Sequence, residues 1–334
     1  MLYVPFGSEN VIVAIRKLIQ GVVLLFLVSI IIFIIFRLMP GNPADLILLS
    51  FKGKPTLAQK EQLLQQFGLQ NGKWSYQAFT TFMYDMFTAH WGNDYYYGES
   101  VGQIIFTALP YTLVLVGSAA VLGWIFGIPL GITTTRLRGK RSETAILTSS
   151  LIVSSIPYLV LAVLLYLYLI AYLQWFPVSG YFSFTALEHP TFFSVLGVLR
   201  TIAIPLVSLF LIGAAGHLIT MRATMVSILG EDFITTARAK GVKEKDILRK
   251  HAARNALIPV STRMALEFAL ILSGALIVDI IFTYPGIGFY LYEATLKEDY
   301  PLIEAATFMI SVITIFAYLI IDYVHAWLDP RIRV

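Results

Sequence analysis

Six long runs of apolar residues constrain the fold of this chain more than any other feature. A helix that crosses a bilayer needs about 20 apolar residues, because its backbone must satisfy its own hydrogen bonds across roughly 30 Å of hydrocarbon. Hydrophobic residues make up 57% of the sequence and charged residues only 13%. We therefore predict an all-α polytopic membrane protein with six spans, at 18–36, 107–134, 144–173, 199–221, 257–282 and 302–328.

The first run is predicted to stay in the protein as a helix. Its 19 apolar residues are more than a signal peptide usually contains, and no small-residue cleavage site follows Arg37. In the third run, Pro157 lies inside the predicted span.

Between the first two runs the chain turns polar, and 40–106 is predicted to be a helical insertion outside the membrane. A capping box at Thr56 begins a short helix that ends at Gly68. A second, amphipathic helix is predicted over 74–89, with its apolar face formed by Tyr76, Phe79, Met83 and Met86. The insertion either caps the membrane domain or contacts substrate. The predicted division is thus 1–39, 40–106 and 107–334.

Lysine and arginine in the short loops predict the orientation, because positive loops resist translocation. The loop 136–141 contains four of these residues and the region 222–254 contains eight. By contrast, 174–199 has none, and the loop between the last two spans has only Lys297. We expect both termini and the polar loop 230–259 to be cytoplasmic.

Several classes of function are excluded by motifs that the sequence lacks. It contains no P-loop for a nucleotide, neither metalloprotease nor serine-hydrolase motif, and no cysteine, and its five histidines are scattered. We therefore predict no enzyme activity and no bound cofactor or metal. The net charge of +4 comes from basic residues between apolar runs, so nucleic acid is not an expected partner. A self-sufficient secondary carrier or an intramembrane enzyme would need inverted repeats or paired catalytic groups, and we find neither.

The polar loop 230–259 has seven lysines and arginines against four acids. We predict one helix over 231–240, Gly241 as its C′ residue, and a second helix over 243–256 in which Asp246 pairs with Lys250. Small residues form a face that another protein could approach closely; they are Thr236, Ala237, Ala239 and Gly241. The loop either only fixes topology or forms a contact site.

The same loop closely resembles the coupling loop of ABC importer permeases of the dipeptide/oligopeptide/nickel branch. The similarity lies in the run Thr235-Thr-Ala-Arg-Ala-Lys-Gly241 and in His251-Ala-Ala-Arg-Asn-Ala-Leu-Ile-Pro259. The generic pattern has Glu-Ala where this chain has Thr235 and Thr236, and Ile-x-Leu-Pro where it has His251 to Arg254. These departures are typical of the peptide branch.

Further motifs extend the resemblance over nearly the whole chain, in the order and spacing of that family. They are Met39-Pro-Gly-Asn-Pro43, Leu109-Pro-Tyr-Thr112, Gly127-Ile-Pro-Leu-Gly131, Ser155-Ile-Pro157, Phe282-Thr-Tyr-Pro-Gly-Ile-Gly288, Asp299-Tyr-Pro301 and Asp329-Pro-Arg-Ile-Arg333. With its long outer segment, the chain resembles the first, B-type, permease subunit.

The resemblance implies the type I ABC importer permease fold and a set of partners. These are a homologous second permease, two cytoplasmic ATPase subunits that hold ATP and magnesium, and an extracytoplasmic peptide-binding protein. The implied cargo is a di- or oligopeptide, with nickel chelates or oligosaccharides as alternatives. The implied ATPase-coupling residues are Thr235, Thr236, Ala237, Arg238, Ala239, Lys240, Gly241 and Val242. A hypothesis that follows is that Ala237 fits where a larger side chain would clash with the ATPase.

Three ionisable residues lie at membrane depth, where charges are costly and face the interior of a bundle. Arg263 and Glu267 are four residues apart on one helix face, and either neutralise each other or line a translocation path. Asp279 is expected to act as a structural hydrogen-bond acceptor more than as a substrate ligand. The tyrosines at 95–97, 166 and 168 form an interfacial belt, contribute to helix packing or bind peptide.

Overall fold

The computed structural model of the protein describes residues 8–38, 76–94, 98–178 and 191–328, with the backbone alone at 8–14, 262–263, 265–267 and 321–328. Within these ranges the regular structure is helical, apart from an isolated antiparallel bridge between Asn93 and Ser100. The helices in chain order are α1 (Ser8–Leu38), α2 (Tyr76–Thr88), α3 (Val101–Arg136), α4 (Arg141–Ser155), α5 (Tyr158–Leu165), α6 (Phe192–Ile228), α7 (Asp232–Ala239), α8 (Ala253–Phe282), α9 (Ile287–Lys297) and α10 (Tyr300–Leu328).

Four of these helices are long and apolar enough to cross a membrane: α1 over Ile15–Leu38, α3, α6, and α10 over Tyr300–Ile320. Two bent pairs raise the number to six, as the sequence predicted, if each pair is one span. In the first pair, α4 is followed by α5 and its π-helical continuation, with a bend of 96° between them. In the second pair, the end of α8 is followed by α9, with a bend of 69°.

The predicted third span is wrong in one respect, because it is broken and not continuous. Ile156 and Pro157 have extended backbone angles, so α4 ends at Ser155 and α5 begins at Tyr158. The ring of a proline disfavours a helical conformation in the residue before it and removes one backbone donor. Helix α5 then continues as the π-helix Tyr166–Tyr172.

The chain divides into two compact units, 1–109 with 289–316 and 110–288 with 317–334. In the first unit, α2 packs on α1, with the Phe33 ring centroid 5.3 Å from the centroids of both Phe79 and Phe82. The predicted amphipathic helix is confirmed, and its predicted apolar face is correct in part, because Met86 is buried and Phe79 contacts Phe33. Tyr76 is 84% exposed, and the buried residues are Ala78, Phe82 and Met86.

An ion pair that the sequence analysis did not identify also lies in the first unit. Arg37 at the end of α1 and Glu304 in α10 are 3.2 Å apart, and both side chains are about nine-tenths buried. The guanidinium carbon of Arg37 is also 4.8 Å from the centroid of the Phe33 ring. Pairing is what makes two buried charges tolerable, since losing one partner of such a pair costs about 3–5 kcal/mol.

In the second unit, α3 and α6 approach each other at two glycines of α3. A Cβ atom on Gly127 would lie 2.5 Å from the carbonyl oxygen of Ala214 and 2.7 Å from Cβ of His217. On Gly131 it would lie 2.7 Å from Cβ of Met221. The two helices can therefore pack this closely only because α3 has no side chains at these positions.

We predict that Gly127→Ala lowers the thermal stability of the purified protein in detergent. The added methyl group would have to displace backbone atoms of α6, and overpacking of this kind costs about 1–3 kcal/mol. Gly117→Ala is the matched control on the same helix, because nothing lies within 4 Å of its added Cβ atom. Equal melting temperatures for the two variants would contradict the prediction.

Candidate functional site

The polar loop 230–259 folds into the helix α7, a turn at Gly241, and a helical stretch that leads into the membrane. The predicted first helix is confirmed, with α7 covering Asp232–Ala239. The predicted second helix is not a separate element. A helical turn at Glu244–Asp246 and the π-helix Ile247–Ala252 join α8 without a break. The change of polarity near residue 257 marks where this helix becomes apolar and not where a helix begins.

Gly241 ends α7 in the predicted C′ position, with φ of 75°. Its N–H group donates to the carbonyl oxygen of Arg238 at 2.9 Å, and the N–H group of Val242 donates to that of Ala237 at 3.2 Å. This pair of hydrogen bonds is a Schellman motif, which requires a left-handed residue that glycine adopts without steric cost. The turn therefore has a defined geometry.

One face of α7 is buried among residues of the membrane helices. Ile234 is fully buried and Ala237 is 8% exposed. They belong to one apolar cluster; its other buried members are Met221, Met225, Ile247, Leu248, Ala252, Ala253, Ala256 and Val260. Since these residues come from the end of α6 and the start of α8, the loop is packed onto the ends of two membrane helices.

The opposite face of α7 is exposed. It presents Thr235, Thr236 and Ala239, with Phe233 at its edge and 44% exposed. The sequence placed Ala237 on this approachable face, and that assignment is wrong because Ala237 points into the chain's own cluster. Phe233 was not singled out from the sequence, although an apolar aromatic residue in a polar loop is a detectable signal.

Two ion pairs join charged residues along the loop. Arg238 contacts Glu244 through two hydrogen bonds, at 3.0 and 3.3 Å, and these raise the pKa of the guanidinium. The predicted pair of Asp246 and Lys250 is confirmed at 3.1 Å, and its hydrogen bond lowers the pKa of the Asp246 carboxyl. Exposed pairs contribute little stability, and of the two only the pair of Arg238 with Glu244 joins α7 to the following turn.

The shorter basic loop, 136–141, is attached to the end of α6. Glu143, at the start of α4, accepts hydrogen bonds from Nε of Arg222 at 3.1 Å and from the N–H group of Gly139 at 2.7 Å. Arg222 is thus paired with a buried carboxylate. This pair holds the two basic loops at the same end of the second unit.

Asp279 is a hydrogen-bond acceptor, as predicted, at the end of α8. Its Oδ2 atom accepts from the N–H group of Gly288 at 3.1 Å, and the side chain is buried. Around it the Phe282–Gly288 turn contacts α3. The N–H group of Ile287 donates to Oγ1 of Thr112 at 2.8 Å, and the hydroxyl of Tyr284 donates to the carbonyl oxygen of Tyr111 at 3.1 Å.

Several other predicted sites lie outside what the structure describes. Only the backbone of α8 is described at Arg263 and Glu267, so their side-chain pairing stays a prediction. The motifs at 39–43 and 329–333, the helix beginning near Thr56 and the tyrosines at 95–97 also lie outside the described residues. Among the described tyrosines, the Tyr166 ring packs edge-on against Phe282. No group of three side chains suited to a metal ion occurs in the described ranges.

The described elements define a multi-pass helical membrane protein with one large polar loop packed onto its membrane helices. Residues 127–334 match the family described as the inner membrane component of binding-protein-dependent transport systems. The chain belongs to this family.

Curated relatives match over almost the full chain. The oligopeptide transport system permease protein AppB of Bacillus subtilis is 30% identical over 320 residues, 96% of this chain and 98% of that protein. The dipeptide transport system permease protein DppB of Lactococcus lactis is 31% identical over 310 residues, 92% of this chain and 95% of that protein. A solved inward-facing structure of the MetNI methionine ABC transporter is 16% identical, covers 69% of this chain and 95% of its own, and has a TM-score of 0.48.

Family membership, the helical architecture and the curated permease relatives establish the class of the protein. It is a multi-pass inner membrane permease subunit of an ABC importer and has the type I permease fold. Permeases of this kind have no ATPase site, and a separate subunit of the transporter hydrolyses ATP.

Replacement of Gly241 tests whether the turn geometry holds the loop. Alanine in the left-handed conformation costs about 1–2 kcal/mol, so Gly241→Ala should increase the rate of tryptic cleavage in this Lys- and Arg-rich loop about fivefold. Gly241→Asn is the matched control, because asparagine tolerates that conformation. No atom lies within 4 Å of the added Cβ, so steric clash does not contribute. Identical cleavage of the two variants would contradict the prediction.

Proposed function

We propose that this chain is a permease subunit of an importer of di- or oligopeptides, and that an ATPase subunit docks on its loop 230–259. The observation that carries the proposal is the difference in burial between the two sides of α7. One side of this helix is exposed, and the other is packed into the ends of the membrane helices.

The exposed side of α7 suits a close contact with another protein. Thr235, Thr236 and Ala239 have short side chains, so a partner surface can approach the helix backbone. The Thr236 hydroxyl also donates to the carbonyl oxygen of Asp232 at 3.0 Å, which keeps it close to the helix. Phe233, at the edge of this face, is an apolar side chain that a partner pocket could bury.

The buried side of α7 provides a path for movement into the membrane helices. Ile234 and Ala237 belong to one apolar cluster with residues of α6 and α8, among them Met225 and Val260. Packed interiors have low compressibility and transmit displacement. A partner that pushes or pulls α7 therefore displaces α6 and α8 as well, which can drive the change between inward-open and outward-open states.

The orientation and the partners follow from the same proposal. An ATPase that uses cellular ATP must contact a cytoplasmic loop, and 136–141 and 230–259 are the strongly basic loops. Both termini are then cytoplasmic. The full transporter contains a homologous second permease, two ATPase subunits and an extracytoplasmic binding protein. ATP and magnesium are held by the ATPase subunits, and this chain holds no cofactor.

Substitution of Ala239 tests docking without changing the chain's own core. Ala239→Trp places a large side chain on the exposed face. We therefore expect the amount of co-purifying ATPase to fall about tenfold, which corresponds to about 1.4 kcal/mol of binding free energy. Uptake should fall in parallel. Ala239→Ser is the matched control and should behave as the wild type. If Ala239→Trp retains both ATPase and uptake, neither the docking site nor the assigned orientation of the loop holds.

The cargo rests on the relatives, two of which are named as oligopeptide and dipeptide permeases. Cells that express the complete transporter should take up a labelled dipeptide or tetrapeptide, and cells without this chain should not. Excess unlabelled peptide should compete, whereas nickel chelates and oligosaccharides should not. If only nickel chelates or only oligosaccharides compete, that compound is the cargo. Uptake that persists without the ATPase subunits would indicate a secondary carrier.

A further inference from the structure

A cavity of about 490 Å³ lies in the second unit, between the end of α3 and the polar loop. This volume falls within the roughly 300–1,000 Å³ that is usual for small-ligand sites. The residues that line it come from the C-terminal turn of α3, from the two basic loops and from the residue after α6; they are Thr135, Arg136, Arg138, Leu229, Arg238, Glu244, Lys245 and Leu248.

The lining of this cavity is strongly cationic. Four of the lining side chains are basic, and the single acid, Glu244, is already hydrogen-bonded to Arg238. The lining therefore has three more basic side chains than acidic ones. Positive side chains that converge on one space repel each other, and an anion in that space relieves the repulsion.

Arg136 supplies a second, independent sign of a ligand. Its Nε and Nη2 atoms are buried, and neither has a hydrogen-bond partner among the described residues. An unsatisfied buried donor on a charged group is costly, and native structures rarely contain one without a reason. The guanidinium offers parallel donors, which is the arrangement that binds a phosphate or carboxylate through two hydrogen bonds.

The position of the cavity favours a phosphate group. Thr135 and Arg136 belong to the last turn of a 36-residue membrane-spanning helix, and Leu229 directly follows another. These residues therefore lie where the apolar spans give way to polar loops, at the depth of lipid headgroups. Basic pockets at such a boundary bind anionic headgroups in other membrane proteins.

We propose that this cavity binds a phosphate group, carried by an anionic phospholipid headgroup or by a free phosphate compound, with Arg136 as its main ligand. Arg138 and Lys245 add positive charge at the mouth of the site. Because Arg238, Glu244 and Lys245 belong to the polar loop, a bound phosphate joins that loop to the end of α3. Occupancy of the site stabilises the arrangement of α7 described above.

The test measures the melting temperature of the purified full-length chain in detergent against added ligand. The probes are a short-chain phosphatidylglycerol, inorganic phosphate and, as a neutral-headgroup control, a short-chain phosphatidylcholine. We expect a saturable rise in melting temperature with at least one anionic probe. Arg136→Gln should require about tenfold more of that probe, as loss of a hydrogen bond to a charged group implies, and Lys245→Gln about fivefold more.

Arg249→Gln is the matched control, because it removes the same charge from the same loop at an exposed residue that does not line the cavity. It should behave as the wild type. If Arg136→Gln does not fold, Arg138→Gln and Lys245→Gln provide the same comparison. Protection by phosphatidylglycerol alone assigns the site to a lipid headgroup, and protection by inorganic phosphate as well assigns it to a free phosphate group.

Three outcomes would overturn the proposal. The first is the absence of a saturable effect with either anionic probe. The second is an equal weakening in the Arg136, Lys245 and Arg249 variants, which would indicate general attraction to a basic surface. The third is that neither anionic probe stabilises the chain through Arg136, whereas an added ATPase subunit does. That result would indicate that the cavity binds an acidic side chain of the ATPase.

Discussion

Helices α3 and α6 pack against each other where Gly127 and Gly131 leave no side chain between them. In a bilayer the hydrophobic effect does not drive helices together, so close packing of this kind is a main source of their association. The contact runs toward the end of α3, where Ile128 and Ile132 pack against the apolar cluster beneath the polar loop. The position of that loop therefore depends on the same two glycines.

The helix α7 of the polar loop is packed onto the membrane helices at one face and is exposed at the other. Ile234 and Ala237 are buried, while Thr235 and Ala239 are exposed, and the alternation follows from the helical period of 3.6 residues. A chain without a nucleotide site can use the energy of ATP hydrolysis only through contact with an ATPase subunit. The phosphate site that we propose lies directly beside this contact and joins the loop to α3.

Contacts between distant residues complete both units. In the first, Arg37 and Glu304 form a buried ion pair, although 267 positions separate them. In the second, Asp279 and the turn after α8 meet Tyr111 and Thr112 through hydrogen bonds. The sequence motifs that contain Thr112 and Asp279 to Gly288 were recognised separately, and only the folded chain shows that they interact.

The sequence by itself determined the class of the protein, the helical character of its spans, the turn at Gly241 and the pair of Asp246 with Lys250. The class depends on motifs along the chain that resemble a known family. The helical spans, the turn and the ion pair depend on composition or on residues a few positions apart, where periodicity and capping rules apply. Tertiary structure decided which face of α7 is buried, the continuity of the loop with α8 and the cavity around Arg136. Such features depend on side chains that are distant in sequence, whose proximity no local pattern specifies.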